Sequence, residues 1–286
     1  MAPVQGMNRK SGSISGILYP DEQALTGARD GLLPLKREES TMDKIPLETA
    51  CEDSAVQFRD CFSVRYILSA ALLCRLGYSI EKSCRETLPL PSEPVLRHET
   101  FILNSVLSSV AFLESTINEL YADAADESCL LLEEDEGSAL RLIAKRWKNG
   151  KNFDRAPVLY KYQRVLEITE RPSFDDREPA YGNVRELVGI RNYLMHYKRE
   201  WVPVNRGGLP GDRDRTTAEK FEQSLRTKFA PNPFAHRNSP FFPDKCLGHG
   251  CAEWAVVNSV VFADEFFRRL GLHPPYDAVR EGLATR

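Results

Sequence analysis

Ile190-Arg191-Asn192-Tyr193-Leu194-Met195-His196-Tyr197 places Arg, Asn and His inside a run whose apolar residues recur at helical intervals. On a helix turning about 100° per residue, Arg185, Gly189, Asn192, His196 and Arg199 share roughly one quarter of the circumference. Val184, Leu187, Val188, Leu194 and Met195 make the opposite side an apolar stripe suited to a core. A long amphipathic helix is therefore predicted from about 178 or 181 to 201. Arg191 falls within the apolar stripe, where an unpaired guanidinium is costly. It either reaches out beside His196 or pairs with a carboxylate from another helix. Gly189, which costs a helix interior roughly 1 kcal/mol relative to Ala, fits a place where another backbone or a nucleic-acid strand approaches closely.

The same periodicity organises the rest of the chain. About fifty N-terminal residues mix Gly, Ser, Pro and charge without a sustained period, so residues 1–54 are expected to be a flexible segment. A first helix is predicted over 55–77, with Phe58, Phe62, Ile67, Leu68, Ala71 and Leu72 in its apolar positions and Gly77 as its stop. After the Pro-rich link Leu88-Pro89-Leu90-Pro91-Ser92-Glu93-Pro94, a second helix is predicted over 95–122, carrying Val106, Val110, Leu113, Ile117 and Leu120. Shorter helices follow over 138–148, 156–168 and 218–229, and a final one over 252–270, which Gly271 and Pro274-Pro275 terminate. Residues 202–248 are punctuated by Gly and Pro and read as an irregular insertion longer than a bundle loop needs. Residues 273–286 read as a C-terminal tail. No segment alternates as a strand does, so the fold class is all-α.

Composition bounds the function. The chain has 286 residues, of which 42% are hydrophobic and 28% charged, as in a globular protein able to build a sizeable core. A net charge of −3 excludes a global basic field, so any RNA site has to be locally basic. The seven cysteines are scattered without C-x-x-C pairs, which points to reduced thiols and a cytoplasmic setting. The N-terminus has no apolar run suited to a signal peptide, and Tyr66 to Cys74 is far shorter than the ~20 residues of a membrane span. No membrane partner is expected.

Arg191 and His196 carry the chemistry. Arg offers a permanent charge and a planar fork of donors for phosphate oxygens, while His transfers protons near neutrality. The spacing Arg191, four residues, His196, with the polar Asn192 after the Arg, resembles the signature of the HEPN superfamily of helical nucleotide-binding proteins. The segment from Val106 to Leu120 resembles the long first-half helix of bacterial HEPN-like proteins, and together they suggest coverage from about 55 to 272. The same spacing recurs at Arg268 and His273, but there Leu270-Gly271-Leu272 and Pro274-Pro275 break the helix.

The resemblance implies an up-and-down helical bundle, with a long irregular insertion before the last helix, that acts as a metal-independent endoribonuclease. In that activity the RNA 2′-hydroxyl attacks the adjacent phosphate. Arg191, Asn192 and His196 are the implied catalytic residues, and Arg185 and Arg199 would bind RNA. A two-fold homodimer, an antitoxin or regulatory protein partner, and a toxin, RNA-processing or defence role are also implied, with no cofactor and no metal. Two other readings stay open: a non-catalytic module binding nucleotide, RNA or protein, and a helical oligomerisation scaffold. Exposure of Arg191 and His196 separates them.

Other groups have plainer explanations. Glu133-Glu134-Asp135-Glu136 reads as a solvated acidic run. Cys246, His249 and Cys251 lie close in sequence but lack a fourth ligand and match no zinc spacing. Glu114, Asn118 and Glu119 are candidates to face Arg191, chiefly as counter-charge. Tyr193, Tyr197 and Trp201 can stack on bases, although such a stripe more often packs.

Overall fold

The computed structural model describes residues 61–84, 92–125, 141–145, 155–198 and 216–286. Its helices are α1 (Phe62–Ser83), α2 (Ser92–Ala125), α3 (Val158–Ile168), α4 (Pro179–Met195), α5 (Thr217–Leu225) and α6 (His249–Leu270), with a π-helical turn at Phe241–Lys245 and a 3-10 segment at Asp277–Leu283. Residues 141–145 are also helical, and no strand occurs among the described residues. The fold is all-α. The expected N-terminal segment 1–54 and the acidic run at 133–136 lie outside the described residues.

α1 and α2 run antiparallel, tied by polar bonds along their length. At one end Ser63, in the first turn of α1, donates its backbone N–H to Glu119 Oε1 at 2.9 Å and its hydroxyl to Glu119 Oε2. Cys61 supplies no side-chain cap, so a carboxylate from the neighbouring helix satisfies a donor that the helix itself leaves open. Midway, the Ser105 hydroxyl donates to the Ala70 carbonyl at 2.8 Å. At the other end His98 Nε2 lies 2.8 Å from Glu81 Oε1, which also accepts the His249 backbone N–H at 2.7 Å and so caps α6. Gly77 does not stop α1 as its sequence predicts. It faces Ile102, whose Cδ1 would stand 2.5 Å from an added Cβ, and α1 continues to Ser83.

Two apolar cores result among the described residues. The first joins Ile67 and Cys74 of α1, Phe112 and Ile117 of α2, Tyr162 and Val165 of α3, and Phe262 and Phe266 of α6. Burial pushes the Tyr162 hydroxyl pKa far up and the Cys74 thiol up to about 12. The second core gathers Val106 and Val110 of α2, Leu187 and Ile190 of α4, Leu225 of α5, and Phe241 and Phe242 of the π-helical turn. α4 thus sets Val184 in the first core and Leu187 and Ile190 in the second.

The segment expected as an irregular insertion, 202–248, is described from residue 216 onward, and there it is built into that core. A capping box starts α5: Glu219 N–H donates to Thr216 Oγ1 at 3.3 Å, and Thr216 N–H donates to Glu219 Oε2 at 2.8 Å. Residues 273–286, expected as a tail beyond a domain ending at 272, belong to the same compact unit, Phe58–Arg286. Tyr276 is fully buried, meets Phe112 edge-on at 5.2 Å and donates to Asp264 Oδ1 at 2.8 Å. Arg75 then donates to the Gly282 carbonyl at 2.9 Å. By length and composition α2 could cross a membrane, but half of its apolar window is buried in the bundle, as in a core helix.

Near the end of α6, hydrogen bonds from Arg268 draw the Glu265 carboxyl down to about 2, with Arg269 adding to the effect. A folded pKa below the ordinary 4.5 means the carboxylate stabilises the fold above that pH, and the contribution is lost as pH falls through about 2. Arg268 is largely exposed and Arg269 is not, so solvent screening trims the first bond more than the second. Glu265→Gln is expected to lower unfolding free energy by about 1 kcal/mol at neutral pH, with the gap from wild type closing near pH 2. Urea titrations at both pH values check this, and coincident curves at neutral pH would contradict it.

Candidate functional site

α4 starts cleanly and ends early. Pro179 occupies its first turn, where a missing N–H costs nothing. Asp175 donates its N–H to Glu178 Oε1 at 2.7 Å, while the Arg269 guanidinium bonds the other Glu178 oxygen. Val184, Leu187 and Ile190 are buried. Beyond Ile190 no residue of α4 is fully buried, and the helix stops at Met195 rather than at 201 as expected. Packing sustains most helices in proteins, and here the packed face runs out.

His196 is therefore the C-terminal cap of α4, not an interior residue. It has φ −114° and ψ 34°, and its N–H donates to the Asn192 carbonyl at 3.0 Å. Asn192 and His196 are both exposed, and their side chains make no hydrogen bond or ion pair to a described residue. On an ideal helix the order around the circumference is Arg191, Met195, Asn192, His196, at steps of about 40–60°.

Arg191 takes the second of its two expected courses. Its Nη2 donates to Glu114 Oε2 of α2 at 2.7 Å, with the Arg side chain 23% and the Glu side chain 47% exposed. Of the other two candidates for this partnership, Asn118 accepts from Lys161 Nζ at 2.8 Å and Glu119 is held by Ser63. The ion pair borders a pocket of about 330 Å³ whose remaining lining comes from Tyr66, Leu107, Ser108, Ala111 and Met195. No single motif in the sequence marks this pocket. Its only trace is the turn-by-turn placing of Leu107, Ala111 and Glu114 on one side of α2.

The polar stripe is less continuous than the helical wheel suggests. Arg185 is exposed and lies 3.1 Å from Asp176, a pairing that water largely screens. It stands eleven residues before His196, or ~16 Å along the axis. Gly189 meets no backbone: an added Cβ would sit 3.5 Å from the Phe221 ring of α5, an ordinary packing distance. Tyr193 packs edge-on against Phe242 at 5.1 Å and against Tyr197 at 5.6 Å. Arg199 and Trp201 lie outside the described residues.

The structure also places the cysteine and histidine group. Cys246 and Cys251 are buried with their sulfurs 4.0 Å apart, and contact with Cys251 together with burial pushes the Cys246 thiol far up. The His249 ring turns elsewhere: Nε2 lies 3.1 Å from the Thr285 carbonyl, and the ring sits 4.7 Å from that of Tyr78.

Comparison of the chain with protein-family models, with curated proteins and with solved structures found no match. The HEPN resemblance thus rests on Arg191, Asn192, His196 and the companion helix α2.

Proposed function

We propose that this chain is a metal-independent endoribonuclease of HEPN type, acting at the exposed end of α4. The observation that carries the reading is the pairing of two exposed, uncommitted polar side chains, Asn192 and His196, with a guanidinium that Glu114 holds in place. A buried or fully bonded set would favour the scaffold reading instead.

In the proposed reaction His196 takes the proton of an RNA 2′-hydroxyl as its oxygen attacks the adjacent phosphorus. The bond from phosphorus to the 5′-oxygen breaks, leaving a 2′,3′-cyclic phosphate on one fragment and a 5′-hydroxyl on the other. That leaving oxygen needs a proton, and His196 of a second copy supplies it in a two-fold homodimer. Arg191 has five N–H donors, and those that Glu114 does not engage hold the phosphoryl oxygens as charge develops. With RNA bound, Asn192 turns to orient the phosphate or the imidazole. Arg185 and Arg199 add local phosphate affinity to a chain with net charge −3. The HEPN resemblance extends the proposal to a cytoplasmic toxin, RNA-processing or defence role with an antitoxin or regulatory partner.

A second reading, a non-catalytic module that binds RNA or nucleotide, draws on two specific features. Glu114 neutralises Arg191, and no described residue orients the His196 ring. Incubating the purified protein with single-stranded RNA in EDTA separates the two. The nuclease reading expects cleavage, whereas binding without cleavage favours the second.

A further inference from the structure

The pocket beside Arg191 has a chemical character of its own. Tyr66 of α1, Leu107 and Ala111 of α2 and Met195 of α4 give it apolar walls, and the Arg191–Glu114 pair lines one side. Its volume of about 330 Å³ falls within the range of small-molecule sites. The ion pair has no net charge, so a small free anion gains little net attraction inside the pocket. A saturated hydrocarbon would strip water from the half-exposed Glu114 carboxylate and offer no hydrogen bond in return. The occupant that suits these walls is a flat ring, apolar on its faces, that carries a donor beside an acceptor on one edge.

We propose that this pocket receives a single nucleobase of an RNA strand. Glu114 Oε1, which has no described partner, accepts an N–H from the base edge, while one Arg191 N–H donates to the carbonyl or ring nitrogen next to it and the remaining N–H groups are left for the phosphoryl oxygens. Tyr66 and Met195 pack against the ring. Met195 is 60% exposed and lies between Arg191 and Asn192 on the helix circumference. A base seated here therefore places its neighbouring phosphate along the Asn192–His196 edge. The inference rests on the RNA-directed reading of α4 for the class of ligand, and on the pocket for the mode of binding.

The test fills the pocket without touching the ion pair. Ala111→Phe is made in a His196→Ala background, and anisotropy in EDTA is read with a fluorescein-labelled single-stranded RNA of mixed sequence and with an abasic ribose-phosphate oligomer of equal length. Ala111→Phe is expected to weaken RNA binding about tenfold or more, while the abasic oligomer binds both proteins alike. Unchanged RNA affinity in a folded Ala111→Phe protein, or no RNA binding to the parent, overturns the proposal. Ser108→Phe, from the same wall, replaces Ala111→Phe if the latter fails to fold.

Parallel cleavage assays in the His196 background separate this inference from the nuclease reading. RNA left intact by a protein with native His196 but bound in a pocket-dependent way removes the nuclease and keeps the pocket. Equal cleavage rates with and without Ala111→Phe remove the pocket and keep the nuclease.

Discussion

His196→Ala is expected to lower the proposed RNA cleavage rate by about 10²–10⁴-fold, the usual contribution of a positioned acid–base group, and to leave stability within about 0.5 kcal/mol of wild type. The two halves of this expectation have separate causes. The imidazole is exposed and bonds no described side chain, so its removal opens no cavity and orphans no partner. The helix-ending bond from the residue 196 N–H to the Asn192 carbonyl is a backbone bond that alanine keeps. Single-turnover rates beside thermal melts give both quantities. A variant that cleaves at the wild-type rate removes His196 from the mechanism.

The largest stability effect falls on the aromatic knot of the first core. Phe262→Ala is expected to cost about 3–5 kcal/mol. The Phe262 ring is fully buried, edge-on to Tyr162 at 4.9 Å and stacked on Phe174 at 4.7 Å, with Tyr181 of α4 at 6.3 Å. Gln163 pins Phe174 from both sides of its peptide, and the Arg269 guanidinium lies 4.0 Å over its ring. This cluster holds the first turn of α4 to α3 and α6, so a cavity here loosens the helix that presents Asn192 and His196. Urea unfolding measures the loss, and a shift worth less than about 1 kcal/mol would show that the knot repacks.

Long packed helices were the most legible part of the sequence. The apolar spacing of α2 and α6 placed both, and Gly271, with φ 74° in the left-handed region, ends α6 as its position predicts. Sequence reasoning failed where tertiary contact overrides local pattern. Gly77 reads as a stop until Ile102 is seen against it, and α4 reads six residues too long because periodicity does not reveal where a partner surface ends. Thr216 and Glu219 have the spacing of a capping box, a signal that the expected start at 218 does not use, and the surrounding Gly and Pro residues mask how much of 216–248 is core. At the candidate site, an ion pair from Arg191 to another helix was legible as one of two courses. The choice of Glu114 over Asn118 and Glu119 was not, because it depends on how α2 is rotated against α4.

The decisive measurement of the proposed nuclease is mass analysis of RNA incubated with the wild-type protein in EDTA. New fragments that end in a 2′,3′-cyclic phosphate and begin with a 5′-hydroxyl are expected. Intact RNA, or fragments that begin with a 5′-phosphate, would contradict it.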